Sequence, residues 1–125
     1  MILETLRDYC LSKQYVTEDF PFDETTLVFR VGGKIFVITD TEDLPFKYSI
    51  KCQPEYAIEL REGYENINPA YHMNKKHWIS IEPDNRIDLK LQKKLIDNSY
   101  NLVFDSLTKS VKQNLKNMEF RRDDD

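Results

Sequence analysis

Ile2, Leu3, Leu6, Tyr9 and Cys10 recur with the spacing of one helical face, which predicts a first helix over residues 2–13. From Tyr15 to Glu24 the pattern lapses into a loop of acids around Pro21. That loop sets Phe20 and Phe22 on either side of the proline, as a hydrophobic lid over a sheet edge. Thr25 to Val31 and Lys34 to Thr39 are rich in β-branched and aromatic residues. Gly32-Gly33 between them accepts the positive φ angles of a two-residue turn, so the pair reads as a hairpin. After a turn over Thr41 to Pro45, the run Phe46 to Cys52 puts Phe46, Tyr48, Ile50 and Cys52 on one side and Lys47, Ser49 and Lys51 on the other. This alternation predicts a third antiparallel strand.

Pro54 suits the first turn of a helix, where its missing N–H leaves no bond unmade. Tyr56, Ala57, Leu60 and Tyr64 give the helix over 54–63 an inward face, and Gly63 is its stop. Asn66 to Lys76 is polar and irregular, with room for at most a short strand, before His77 to Glu82 reads as a strand around Trp78, Ile79 and Ile81. Pro83-Asp84-Asn85 reads as a tight turn. From Asp88, an N-cap residue, apolar positions from Leu91 to Leu115 keep helical spacing, with an irregularity near Asn98-Ser99. That means two consecutive helices or one bent helix. The expected fold is α+β, a two-layer sandwich of antiparallel sheet against helices. It occupies residues 1–118 as a single domain, followed by a charged, flexible tail at 119–125.

The chain's 125 residues suffice for one modest core and exclude a large two-domain enzyme. Apolar residues at 40% are far above the depleted composition of a disordered chain. No window approaches the roughly 18 apolar residues of a membrane span, and Met1 to Cys10 lacks the pattern of a secretory leader. A soluble, cytoplasmic protein without a membrane partner is expected. Cys10 and Cys52, the only cysteines, read as buried thiols rather than a disulfide framework.

Charge changes the picture more. The net charge is −4, yet residues 71–112 carry eight Lys/Arg against five Asp/Glu, while residues 1–70 are acidic throughout. Such asymmetry permits an anionic partner at one face, although a lysine-bearing helix is most often a solvated surface.

Most chemistry is missing from the sequence. The adjacent glycines are explained by a hairpin rather than a phosphate loop. His72 and His77 would need ligands such as Glu82 or Cys52, and no motif joins them, so neither metal nor cofactor is predicted. The carboxylates are scattered, without a base beside an activated group, so catalysis is not expected. The exception is Tyr71 to Trp78, which packs two lysines, two imidazoles, an amide and two aromatics into eight residues. Phosphate-seeking donors beside flat rings suit a nucleic acid, while the same residues also suit a loop anchored by its aromatics.

The strings Phe20-Pro21-Phe22, Val28 to Phe36, Lys51 to Glu55, Glu59-Leu60-Arg61 and Pro69 to Trp78, with Ser99 to Val103 and Leu107-Thr108-Lys109, occur in one order over roughly residues 1–116. In this the chain resembles the YjbR/MmcQ family of small bacterial proteins. The resemblance implies a YjbR-like fold similar to type III secretion chaperones, and a cytoplasmic DNA-binding role. It carries binding to His72, Asn74, Lys75, Lys76 and Trp78, to which the helical lysines Lys94, Lys109 and Lys112 add phosphate donors. Asp23, Ala70 and Asn85 stand where the family often has glycine. The alternative is a protein-interaction module, monomeric or weakly dimeric, that presents a sheet face or groove to a peptide.

Overall fold

The computed structural model describes residues 1–70 and 73–123. Its elements run α1 (Leu3–Leu11), β1 (Val16–Asp19), β2 (Thr26–Val31), β3 (Lys34–Asp40), β4 (Tyr48–Lys51), α2 (Pro54–Gly63), β5 (Ile67–Pro69), β6 (Trp78–Ile81), α3 (Leu89–Ser106) and α4 (Lys109–Asp123). The six strands form one antiparallel sheet in the order β1-β2-β3-β4-β6-β5.

One face of the sheet carries the core. Phe29, Val37, Ile50 and Ile79 lie opposite one another in register and are all fully buried. Over them lies α3, whose Leu95, Ile96 and Val103 are buried. Gln92 of α3 reaches the sheet as a buried partner of the Tyr48 hydroxyl, at 3.0 Å. Burial of these side chains, at roughly 1.5–3 kcal/mol each, is the main force holding helix to sheet.

The β2–β3 hairpin is as expected, with φ of +60° and +83° at Gly32 and Gly33. Beyond the turn the register shifts between Phe29 and Arg30, so Phe36 is left without a strand partner. The bulge lets both Phe36 and Val37 be buried although they are neighbours in sequence. Ser99 of α3 closes it: its hydroxyl donates to the Phe36 carbonyl at 2.6 Å and accepts from the Lys51 amide at 2.9 Å. Removing that hydroxyl (Ser99→Ala) strands two main-chain groups and costs about 2 kcal/mol, read as a lower urea midpoint at unchanged m-value.

Four sequence expectations are corrected. The stretch from Tyr15 to Glu24 contains strand β1, whose half-buried positions are Val16 and Glu18, so an acid stands where the sequence pattern would need an apolar residue to show a strand. Phe20 and Phe22 are exposed rather than forming a buried lid. The helical run after Asp88 breaks at Leu107-Thr108, not near Asn98-Ser99, where Ser99 bonds to the sheet and Asn98 to the Gln53 side chain. Thr108 starts the next helix, its hydroxyl accepting from the Val111 amide. Finally, α4 continues through Glu119 to Asp123, where a tail was expected. Helix α1 and strand β4 are shorter at their ends than the apolar pattern suggested, while α2 spans residues 54–63 as expected.

The sheet is bounded by β1 and by β5. On β1, Glu18 pairs with Arg7 and Asp19 with Arg30; β5 ends in Pro69.

Candidate nucleic-acid interface

Strand polarity decides which charges meet. Because neighbouring strands alternate in direction, the Gly32-Gly33 turn, the start of β3 at Lys34, the end of β4 at Lys51 and the start of β6 at Trp78 all lie at one end of the sheet. Lys51 stands directly opposite Trp78. The turn carrying Lys75 and Lys76 leads into β6 at this same end.

That turn is held from several sides. The Asn74 side-chain oxygen accepts from the Lys76 amide at 2.9 Å, and the His77 amide donates to the Asn74 carbonyl at 3.1 Å. The Cys52 amide donates to the His77 carbonyl at 2.8 Å, tying the turn to the end of β4, and Arg61 of α2 donates to the Lys75 carbonyl. Asn74 is therefore an Asx-turn residue that leaves its NH2 group as the donor it can offer. Lys75 and Lys76 are exposed. Trp78 is 9% exposed, too little surface to stack on a base. His72 lies outside the described residues.

The helical lysines divide. Leu107 and Val111 pack against Gly32. This places the start of α4, with exposed Lys109, beside the hairpin. Lys34 joins them, its ammonium 3.4 Å from the Ser106 hydroxyl of α3. Lys112 is half-buried, its ammonium 5.5 Å from the centre of the Phe104 ring and 3.5 Å from the Asp105 carbonyl. Lys94 is exposed on α3, but at 1.5 Å per residue it sits about 18 Å along the axis from Ser106, away from this cluster. Lys34 and Lys51 are the residues that sequence reasoning did not gather; the hairpin register held the signal, but pairing of β4 with β6 was not legible.

The opposite end of the sheet is acidic. Asp23, Asp40, Asp43 and Glu82 lie there, around the face that the helices leave uncovered. Asp23 accepts from the Thr26 amide at 2.6 Å and the Thr25 amide at 3.0 Å, and these bonds hold its carboxyl below the usual range. Its departure from glycine thus builds the turn into β2. His77 and Glu82 flank opposite ends of β6, roughly 16 Å apart at 3.3 Å per residue. Among the described residues no three His, Cys, Asp or Glu side chains gather as a metal site.

Cys10 and Cys52 are free and buried. Burial pushes their thiols up to about 12 and about 11. The folded protein should therefore react with a thiol reagent at pH 8 about 100-fold more slowly than the urea-unfolded chain, because so little thiolate is present. Since the unfolded thiols ionise first, near 9.0, stability conferred by the neutral buried thiols is intact below that pH and declines as pH rises through the folded values.

Among the described residues no helix is long and apolar enough to cross a membrane. Compared with known proteins, residues 11–102 match the YjbR family model. The chain is 39% identical over 107 residues to the protein YbdF of Escherichia coli O157:H7, covering 85% of this chain and 87% of that one. It is 28% identical over 101 residues to YjbR of Escherichia coli K12, with 80% and 85% covered. A crystal structure of a DUF419-domain protein from Deinococcus radiodurans superimposes with a TM-score of 0.85 at 36% identity, over 91% of this chain and 87% of that one. A second, from Pseudomonas syringae, gives 0.70 at 28% identity, over 82% and 99%. The antiparallel six-stranded α+β architecture is thus shared with solved relatives, and the chain belongs to the YjbR family.

Proposed function

We propose that this protein binds nucleic acid, with DNA the expected ligand, through the lysine-bearing end of its sheet. The observation that supports the reading is the convergence of Lys34, Lys51, Lys75, Lys76 and Lys109 from four separate stretches of sequence onto one end of a molecule whose net charge is −4. Cations gathered on a rigid rim neutralise phosphates in register without reading bases, which is a positioning contact. Asn74 would add a hydrogen-bond donor and Trp78 would brace the turn. The acidic far end would repel the duplex and so orient it on the lysine end.

Fluorescence anisotropy with labelled duplex and single-stranded oligonucleotides across a salt series tests this. Five phosphate contacts predict that log affinity for duplex falls with log salt at a slope of roughly −4 to −5. Absence of binding at low salt would remove the proposal.

A further inference from the structure

We propose that the uncovered face of the sheet is a docking groove for an extended, arginine- or lysine-bearing peptide segment of a partner protein. The helices pack on the opposite face, where Tyr48 meets Gln92. On the uncovered face, Ile38, Ser49, Ser80 and Asn68 form one continuous row across β3, β4, β6 and β5. Together with Thr26 of β2 they line an open groove of about 1000 Å³.

The groove's dimensions fit a peptide better than a small metabolite. From β2 to β5 are four inter-strand spacings of about 4.8 Å, or roughly 19 Å, which an extended chain covers in about six residues. Its floor alternates an aliphatic side chain with hydroxyls and an amide, which can bond to peptide N–H and C=O groups while the apolar parts take side chains.

Charge chooses the occupant. Four carboxylates, Asp23, Asp40, Asp43 and Glu82, line the groove against one ammonium, Lys47. A nucleic acid is repelled there, whereas guanidinium or ammonium groups are attracted and, for arginine, held in bidentate fashion. Phe22, 65% exposed, and Leu44, 94% exposed, stand on the two loops at the acidic end. They offer contact for apolar residues interleaved with the cations. At the basic end this chain's own lysines sit on strands already paired in the sheet, on a helix, and on the turn pinned by Asn74 and Arg61, so none lies on an unpaired extended segment. The occupant assigned is therefore a segment of a separate protein.

The test uses the full chain and a fluorescent, N-acetylated hexapeptide alternating arginine with leucine, with the glutamate-for-arginine version as its control. Saturable binding at micromolar peptide is expected. It should weaken at least about tenfold in the triple variant Asp40→Asn, Asp43→Asn, Glu82→Gln and stay unchanged in Lys75→Glu/Lys76→Glu. In case the triple variant is unfolded by circular dichroism, backbone amide shifts of the unaltered protein supply a second readout, expected at Ile38, Ser49 and Ser80. Absent saturation, equal binding of the acidic peptide, undiminished binding by a folded triple variant, or shifts confined to other surfaces would each overturn the proposal. So would self-association that the triple variant abolishes, because it would assign the groove to a second copy. Nucleic-acid binding is read through the lysine variant and peptide binding through the triple variant, so failure here and failure of the nucleic-acid reading are told apart.

Discussion

Charge reversal of the turn, Lys75→Glu with Lys76→Glu, is expected to lower duplex affinity about 100-fold at low salt and to reduce the salt slope from roughly −4 or −5 to roughly −2 or −3. Two of five phosphate contacts are lost and two repulsive charges replace them. The fold should be retained, because both side chains are exposed and main-chain bonds through the Lys75 carbonyl and the Lys76 amide hold the turn. Lys94→Glu is the matching control. It reverses one charge, against two, on the exposed surface of α3, about 18 Å along the helix axis from Ser106, and should alter affinity less than about threefold. Equal losses per reversed charge in the two variants would mean a diffuse field effect rather than a site. An unaltered affinity in the double variant would move the site elsewhere.

Gly32→Val should destabilise the protein by about 3 kcal/mol, measured by urea unfolding. Gly32 has φ of +60°, where a β-branched residue is strained by at least 1–2 kcal/mol. A Cβ there would also come within 2.6 Å of the Leu107 side chain and 3.1 Å of Val111, contacts that force these side chains to repack where α4 meets the hairpin. Gly33 separates the two causes. Its φ is +83° but nothing lies within 4 Å of an added Cβ, so Gly33→Ala should cost only the backbone strain, about 1 kcal/mol. Because Leu107 and Val111 seat α4 on the hairpin, the Gly32 variant should also weaken duplex binding by displacing Lys109 from Lys34.

Local signals in the sequence carried much of this architecture. Periodicity and Pro54 placed α2 at 54–63, and Gly32-Gly33 set the hairpin and the pairs next to it, Val31 with Lys34 and Arg30 with Ile35, while the bulge beyond them carried no linear signal. Asp88 was legible as an N-cap, its carboxylate accepting from the Leu91 amide at 2.7 Å. What failed was non-local. Strand β1 is short and acidic, and β2 beside it gives it a place in the sheet, which no linear pattern encodes. Ser99 looked like a helix irregularity because its partners, Phe36 and Lys51, are 63 and 48 residues away in sequence. The candidate site shows the same limit. Lys75 and Lys76 stood out as neighbours, but Lys34 and Lys51 join them only through strand pairing, and Lys94 was grouped with them by residue type rather than by place. The acidic groove was invisible in the sequence, since Asp23, Asp40, Asp43 and Glu82 are assembled from three separate loops and strand ends.

The sheet's borders limit how the molecule can associate. An unprotected border strand invites another chain to continue the ladder, the route to domain exchange and fibrils. Here β1 has four residues, two of them acids held by Arg7 and Arg30, so an incoming strand would have to displace charged groups from its flank. At the other border β5 has three residues, and Pro69 lacks the amide that a continued ladder requires. With both borders closed to growth, the sheet resists templated aggregation even at high concentration.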